Sequence, residues 1–200
     1  MLEAADLRCE RGGYRIFEKV SFLLSEGKLL RVVGANGSGK TSLLRILCGL
    51  ALPAAGEVRW KGTPIRSLRE EYSRELLYLG HAPAVKDELT AAENLRISCA
   101  LAGVPISADN VSGALDRFGI PPGKLVKQLS QGQRRRAALA RLELSASVPL
   151  WLLDEPFTAL DAVAADLTKG LIRNHVGGGG AVMYTTHQDA GLPDSRVIEL

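Results

Sequence analysis

Charge, cysteine and long apolar runs are all in short supply in this chain of 200 residues. Lys and Arg number 25 against 22 Asp and Glu, a formal net charge of only +3. That surplus is too mild to imply nucleic acid or an anionic membrane surface as a partner. The three cysteines, Cys9, Cys48 and Cys99, stand far apart, with no Cys-x-x-Cys pair and no histidine beside them. This excludes a disulfide framework and a zinc-finger-like site. Each thiol reads as buried packing in a reducing compartment. No run reaches the roughly 18 apolar residues that a membrane-spanning helix needs. Residues 1–15 include acidic side chains and no apolar core, so they do not read as a signal peptide. Heptads, internal repeats and low-complexity tails are missing too, which removes coiled coils and repeat arrays. What remains is 46% hydrophobic and 24% charged. This is an ordinary globular composition, sufficient for one domain with a large buried core.

The apolar pattern predicts an α/β chain. Residues 2–30 read as β structure, with Val20-Ser21-Phe22-Leu23-Leu24 a strand and 25–28 a turn. Glu57-Val58-Arg59-Trp60 alternates and then turns at 61–64, and 67–75 is helix-prone. Leu76-Leu77-Tyr78-Leu79, Leu150-Trp151-Leu152-Leu153 and Ala181-Val182-Met183-Tyr184 are apolar runs, the mark of parallel strands covered on both faces. Between them lie helical patterns at 91–102, 112–118 and 134–144, which suggest a helical insertion over about 84–144. The glycine run 177–180 reads as a flexible connector, since no Lys-Ser/Thr follows it.

Gly34-Ala35-Asn36-Gly37-Ser38-Gly39-Lys40-Thr41 carries the strongest chemical signal. Two glycines separated by four residues, then Lys and Thr, fit a phosphate-binding loop. Arg31-Val32-Val33 before it reads as a strand end. Residues 41–50 after it read as a helix with Leu43, Leu44, Ile46, Leu47 and Leu50 on one face. Glycines let successive N–H groups face one anion at the positive end of the helix. Lys40 can then reach the β- and γ-phosphates, and the Thr41 hydroxyl can hold Mg²⁺, with Ser42 next in line. A plain glycine-rich turn would not need those flanks.

A second acidic element sits at the end of Leu150–Leu153. Asp154 is suited to hold Mg²⁺ and Glu155 to polarise an attacking water, because side chains at strand carboxyl ends project into the ligand crevice of an open α/β sheet. The alternative is an acidic cap on the following helix. Two adjacent carboxylates after four apolar residues are costly without a cation. Leu129-Ser130-Gln131-Gly132-Gln133 reads as a helix start, with Ser130 capping and N–H groups near Gly132 facing an anion.

In this order, these motifs resemble the nucleotide-binding subunits of ABC (ATP-binding cassette) transporters. Leu129 to Gln133 is similar to the family's Leu-Ser-Gly-Gly-Gln signature, with Gln131 in place of the first Gly. Pro156-Phe157-Thr158 and the contact loop Ala159-Leu160-Asp161 follow the family pattern. His187, after Thr185-Thr186, stands where the family has a His that contacts the γ-phosphate. The resemblance covers nearly the whole chain. It implies an ABC-type P-loop NTPase fold, with an N-terminal antiparallel β region and an inserted helical subdomain. It implies ATP and Mg²⁺ as ligands, with Lys40, Glu155 and His187 catalytic. It also implies a homodimer that sandwiches two ATP molecules, in which Ser130, Gly132 and Gln133 reach the nucleotide of the second copy. The further partner implied is an integral membrane subunit, with the chain peripheral on the cytoplasmic face of the inner membrane.

Two departures sharpen the comparison. Where the family has a Gln that senses Mg²⁺ and the membrane subunit, this chain has His81, which can still hydrogen-bond a water or a subunit. Where the family stacks an aromatic ring on adenine, it has Arg11, whose planar guanidinium can stack on a base. Tyr14, three residues on, is either an alternative contact or ordinary packing. Cys9-Glu10-Arg11, Gly80-His81, Leu89 to Leu95 and Thr185-Thr186-His187-Gln188 resemble the ATP-binding subunits of bacterial cytochrome c maturation (haem exporter) systems, and so imply CcmB/CcmC-like membrane partners. Other ABC exporters share several of these strings. Soluble ABC ATPases usually carry two cassettes or a coiled coil, which this chain lacks. A non-hydrolysing regulatory module would have no use for Asp154, Glu155 and His187 together. Arg134-Arg135-Arg136 reads as solvent and domain contacts, with one arginine at most near phosphate, and not as a nucleic-acid patch.

Overall fold

The computed structural model describes residues 1–187, 191–192 and 195–200; Gln188 lies outside them. In chain order the elements are β1 (Leu2–Arg11), β2 (Tyr14–Leu24), β3 (Leu29–Val33), α1 (Lys40–Leu47), β4 (Ala55–Trp60), β5 (Thr63–Pro64), α2 (Ile65–Leu68) and α3 (Glu70–Arg74). They continue with β6 (Leu76–Leu79), α4 (Ala91–Leu101), α5 (Ala108–Arg117), α6 (Gln131–Leu139), α7 (Arg141–Leu144), β7 (Leu150–Leu153), α8 (Ala162–Gly177), β8 (Ala181–Thr185) and β9 (Ser195–Glu199).

The strands form two sheets. A four-stranded sheet runs β2-β1-β4-β5, every pair antiparallel, and a five-stranded sheet runs β6-β7-β8-β3-β9, every pair parallel. β7 and β8 are buried along their whole length, as strands covered on both faces must be. The two-residue period divides their side chains. Leu150, Leu152, Ala181 and Met183 join the core shared with Leu43, Leu44 and Leu47 of α1 and with the antiparallel sheet. Trp151, Leu153, Val182 and Tyr184 face the other core, built with Leu95, Leu115, Phe118 and Ile172. The carboxyl ends of β7, β8 and β3 therefore lie side by side, where an open parallel sheet presents its ligand crevice.

Several elements differ from the sequence expectations. The helix after the phosphate loop stops at Leu47, and the backbone turns at Gly49 with φ +76°. Leu50 consequently leaves the apolar face and is 61% exposed. The helix-prone stretch 67–75 is two short helices, broken at Arg69 where φ is +43°. The pattern at 134–144 is likewise two helices, and the first already starts at Gln131. α4, α5 and α6 each begin with a full capping box, from Thr90 and Glu93, Ser107 and Asn110, and Ser130 and Gln133. The glycine run 177–180 meets the turn before β3, where Gly27 N–H donates to the Gly179 and Gly180 carbonyls at 3.0 and 3.2 Å. Gly180 also lies so close to the His175 ring that a Cβ there would overlap it. Cys9 and Cys99 are buried and Cys48 half-buried, all with free thiols. Among the described residues no helix is long and apolar enough to cross a membrane.

Candidate active site

The turn from β3 into α1 is a loop of tight backbone contacts. Gly39, the residue before α1, has φ +101°, and a Cβ there would meet Ile16 Cγ2 at 2.5 Å. Only glycine serves at that point, and its conformation aims the first turn of α1 into the cleft. The N–H groups of a helix's first turn have no intrahelical acceptor, so they are available to an anion. Lys40 is buried and folds over the loop, its Nζ donating to the Gly34 and Ala35 carbonyls at 2.8 and 3.0 Å. Ser38 Oγ is buried without a hydrogen-bond partner among the described residues. Asn36, Gly37, Gly39, Lys40, Thr41 and Ser42 line a cleft of about 400 Å³ together with Arg11, His81, Glu155, Thr158 and His187.

Asp154 and Glu155 follow β7 directly. Asp154 is 1% exposed, and both its oxygens are engaged: Thr41 Oγ1 donates to Oδ2 at 2.8 Å and Thr185 Oγ1 to Oδ1 at 2.7 Å. The Thr185 hydroxyl also accepts the Glu155 N–H at 2.9 Å. One side chain at the end of β8 thus fixes both members of the acidic pair. Glu155 has φ +52°, in the left-handed region that a non-glycine residue occupies only when its surroundings hold it there. That backbone turn swings its carboxylate toward β8, where Oε1 lies 2.9 Å from His187 Nε2. The other His187 nitrogen, Nδ1, is 3.5 Å from Lys40 Nζ. Lys40, Thr41, Asp154, Glu155 and His187 therefore form one contiguous polar network across three elements. Nearby, burial and the Asp154 charge push the Tyr78 phenol up to about 12.

The remaining sequence candidates fall into two groups. Arg11 and His81 line the cleft, as stated above; Tyr14 does not, and at 78% exposed it is not packed either. Ser130, Gly132 and Gln133 do not line it. Ser130 Oγ accepts the Gln133 N–H at 3.2 Å, and Gln133 Oε1 accepts the Ser130 N–H at 2.9 Å, so both side chains cap α6. The arginine triplet also divides. Arg134 pairs with Asp87 at 2.9 Å and Arg136 with Asp161 at 3.2 Å, both near the surface. Arg135, expected to contact solvent or another domain, is 6% exposed and donates to four backbone carbonyls around the acidic pair. Thr185 and Arg135 are the two site-framing residues that the motifs alone did not single out.

Residues 17–158 match the family described as ABC transporter. Curated relatives agree over the full length. The chain is 52% identical to a cytochrome c biogenesis ATP-binding export protein CcmA of Nitrosospira multiformis, covering all of this chain and 97% of that one. It is 55% identical to the protein of the same name in Aromatoleum aromaticum, over 95% and 90% of the two chains. Among solved structures, an ATP-binding subunit of an ABC transporter superposes with a TM-score of 0.88 at 24% identity, covering all of this chain and 85% of that one. A dimeric ATP-binding cassette in a post-hydrolysis state bound to ADP and Pi superposes at 0.85 with 21% identity, over 100% and 94%; both share the fold. The chain belongs to the ABC transporter family, within its branch of cytochrome c biogenesis ATP-binding export proteins.

Proposed function

We propose that the network from Lys40 to His187 is one half of a composite ATP-hydrolysing site, completed by a second copy of this chain. The observation that carries this reading is the convergence of Thr41, Glu155 and His187 on the cleft below the phosphate loop, with Asp154 bonded to Thr41 behind it. Gly34 to Ser42 supply N–H groups for the phosphates, and Lys40 exchanges its loop carbonyls for phosphate oxygens when nucleotide enters. The Thr41 hydroxyl and the Asp154 carboxylate, 2.8 Å apart, are a hard-oxygen pair of the kind that holds Mg²⁺ together with substrate phosphates. Mg²⁺ bound there would neutralise charge on the β- and γ-phosphates. Glu155 orients and deprotonates the attacking water, and His187, paired to Glu155, steadies the γ-phosphate. Arg11 and His81 line the same cleft, where Arg11 would stack on adenine and His81 would hydrogen-bond a water held by the metal. Ser130, Gly132 and Gln133 present the α6 N-terminus to the partner's nucleotide, which suits their position outside this chain's own cleft.

The names of the relatives place them in cytochrome c biogenesis. By that kinship we assign the chain to the ATP-hydrolysing subunit of a transporter for cytochrome c maturation. It would work peripherally on the cytoplasmic face of the inner membrane, with CcmB/CcmC-like membrane partners, and couple hydrolysis to haem export or delivery. Residues 84–144 would form the helical subdomain. Glu155→Gln tests the site: ATP binding persists, turnover drops by about a hundredfold or more, and an ATP-bound dimer accumulates on size exclusion. Unchanged hydrolysis would remove Glu155 from the mechanism. Deleting the gene tests the cargo, with c-type cytochromes lost and b-type ones retained. Intact c-type cytochromes would overturn that assignment and leave the ATPase reading standing.

A further inference from the structure

Arg135 joins the two backbone segments that frame the cleft. It lies in the second turn of α6, whose cap is Ser130. Its Nη1 donates to the Gly80 and His81 carbonyls at 2.8 and 3.0 Å, and its Nη2 to the Asp154 and Glu155 carbonyls at 2.9 and 2.8 Å. No ion pair involves it among the described residues, and it is 6% exposed. A buried cation satisfied by neutral carbonyls is costly to assemble, so a plain packing role would be better filled by an apolar side chain. A planar guanidinium is the side chain that can send one nitrogen's donors to one segment and the other's to a second. Burial lowers its pKa from the ordinary value, and the Asp154 and Glu155 charges partly offset this.

The Glu155 peptide is therefore pinned on both sides. Its N–H is held by Thr185 and its carbonyl by Arg135, at the one residue of the acidic pair with φ +52°. The same guanidinium also holds the carbonyl of His81, in the segment after the neighbouring strand β6. We infer that Arg135 is a positioning residue that ties the signature helix to the Glu155 backbone and to the His81 loop. Movement of α6 is thereby delivered to the position of the Glu155 carboxylate. The inference rests on Glu155 acting as proposed above.

The test uses the full chain assembled with its membrane subunit. Arg135→Gln and Arg135→Lys cannot span both carbonyl pairs. Each is expected to lower kcat about tenfold or more while KM for ATP stays within about threefold, because the phosphate loop is untouched. In Arg135→Ala, added guanidinium ion should restore several-fold of the lost kcat at constant KM. A core truncation, Leu142→Ala, provides a control with a comparable loss of Tm and a near-normal kcat. The inference is overturned if Arg135→Gln keeps kcat within twofold of the parent while Glu155→Gln is inactive. It is also overturned if Leu142→Ala loses kcat to the same extent, or if guanidinium restores nothing. Turnover surviving in Glu155→Gln would instead overturn the reading of Glu155 itself.

Discussion

Thr185 has a single hydroxyl and uses it twice, donating to Asp154 and accepting from the Glu155 N–H. Thr185→Val keeps the shape and deletes both bonds. It leaves a buried N–H and a buried carboxylate oxygen each short of a partner, at a cost of about 1–3 kcal/mol per group. The variant should unfold at a lower urea midpoint and lose turnover far more than nucleotide binding, since Lys40 and its loop carbonyls are unaffected. A parent-like midpoint would show that water replaces the hydroxyl. Thr185 also marks where sequence reasoning stops at this scale. Asp154 and Glu155 stand out because two charges directly follow four apolar residues. Thr185 reads only as the end of a strand, and its meaning depends on β8 lying next to β7. Arg135 is hidden for a similar reason: three consecutive arginines on a helix point about 100° apart, and only the packing decides which one faces inward.

The joint between α8 and β8 shows the same limit at the scale of elements. The apolar runs of β6, β7 and β8 are legible because strands buried on both faces need nothing else. β9 is not, since Ser195–Glu199 mixes polar and apolar residues and, among the described residues, pairs with β3 alone at the sheet edge. The glycines before β8 look like slack, but they let the chain pass the His175 ring, which stacks on Trp151 at 3.8 Å and 3°. Burial drives the His175 pKa down to about 4, and the carbonyls of Pro149 and Ala146 oppose the shift. The folded chain therefore keeps this ring neutral at a pH where the unfolded chain protonates it. The stabilisation is complete above the unfolded value near 6.5. It is lost progressively as the pH falls toward about 4, by up to about 3 kcal/mol. Urea midpoints measured from pH 8 to pH 4 should fall through this window, and His175→Phe should flatten the part of the slope that the ring contributes. An identical slope in the variant would remove His175 as its cause. Gly180→Ala should destabilise at every pH, because the added methyl overlaps the ring.

For the whole molecule, the separation of the signature from the cleft decides what one copy can do. Ser130 and Gly132 lie at the start of α6, outside the cleft that holds Lys40, Glu155 and His187. If the α6 N-terminus serves the nucleotide of a second copy, a change there must spare binding and remove assembly. Ser130→Arg places a long cation at the face offered to the partner, while the phosphate loop of its own chain is unchanged. Its affinity for ATP, measured by fluorescent nucleotide titration on dilute protein, should stay within about twofold of the parent. Its ATP-driven dimerisation should disappear, and its turnover with it. Added to the Glu155→Gln background, the same change should abolish the trapped dimer. The parent should show the matching behaviour from the other side: a strictly monomeric preparation should hydrolyse poorly, and its rate per chain should climb as dimers form. Loss of ATP affinity in Ser130→Arg would place the signature in its own chain's site. Full turnover by a dilute monomer would mean that one copy suffices, and the composite site would have to be given up.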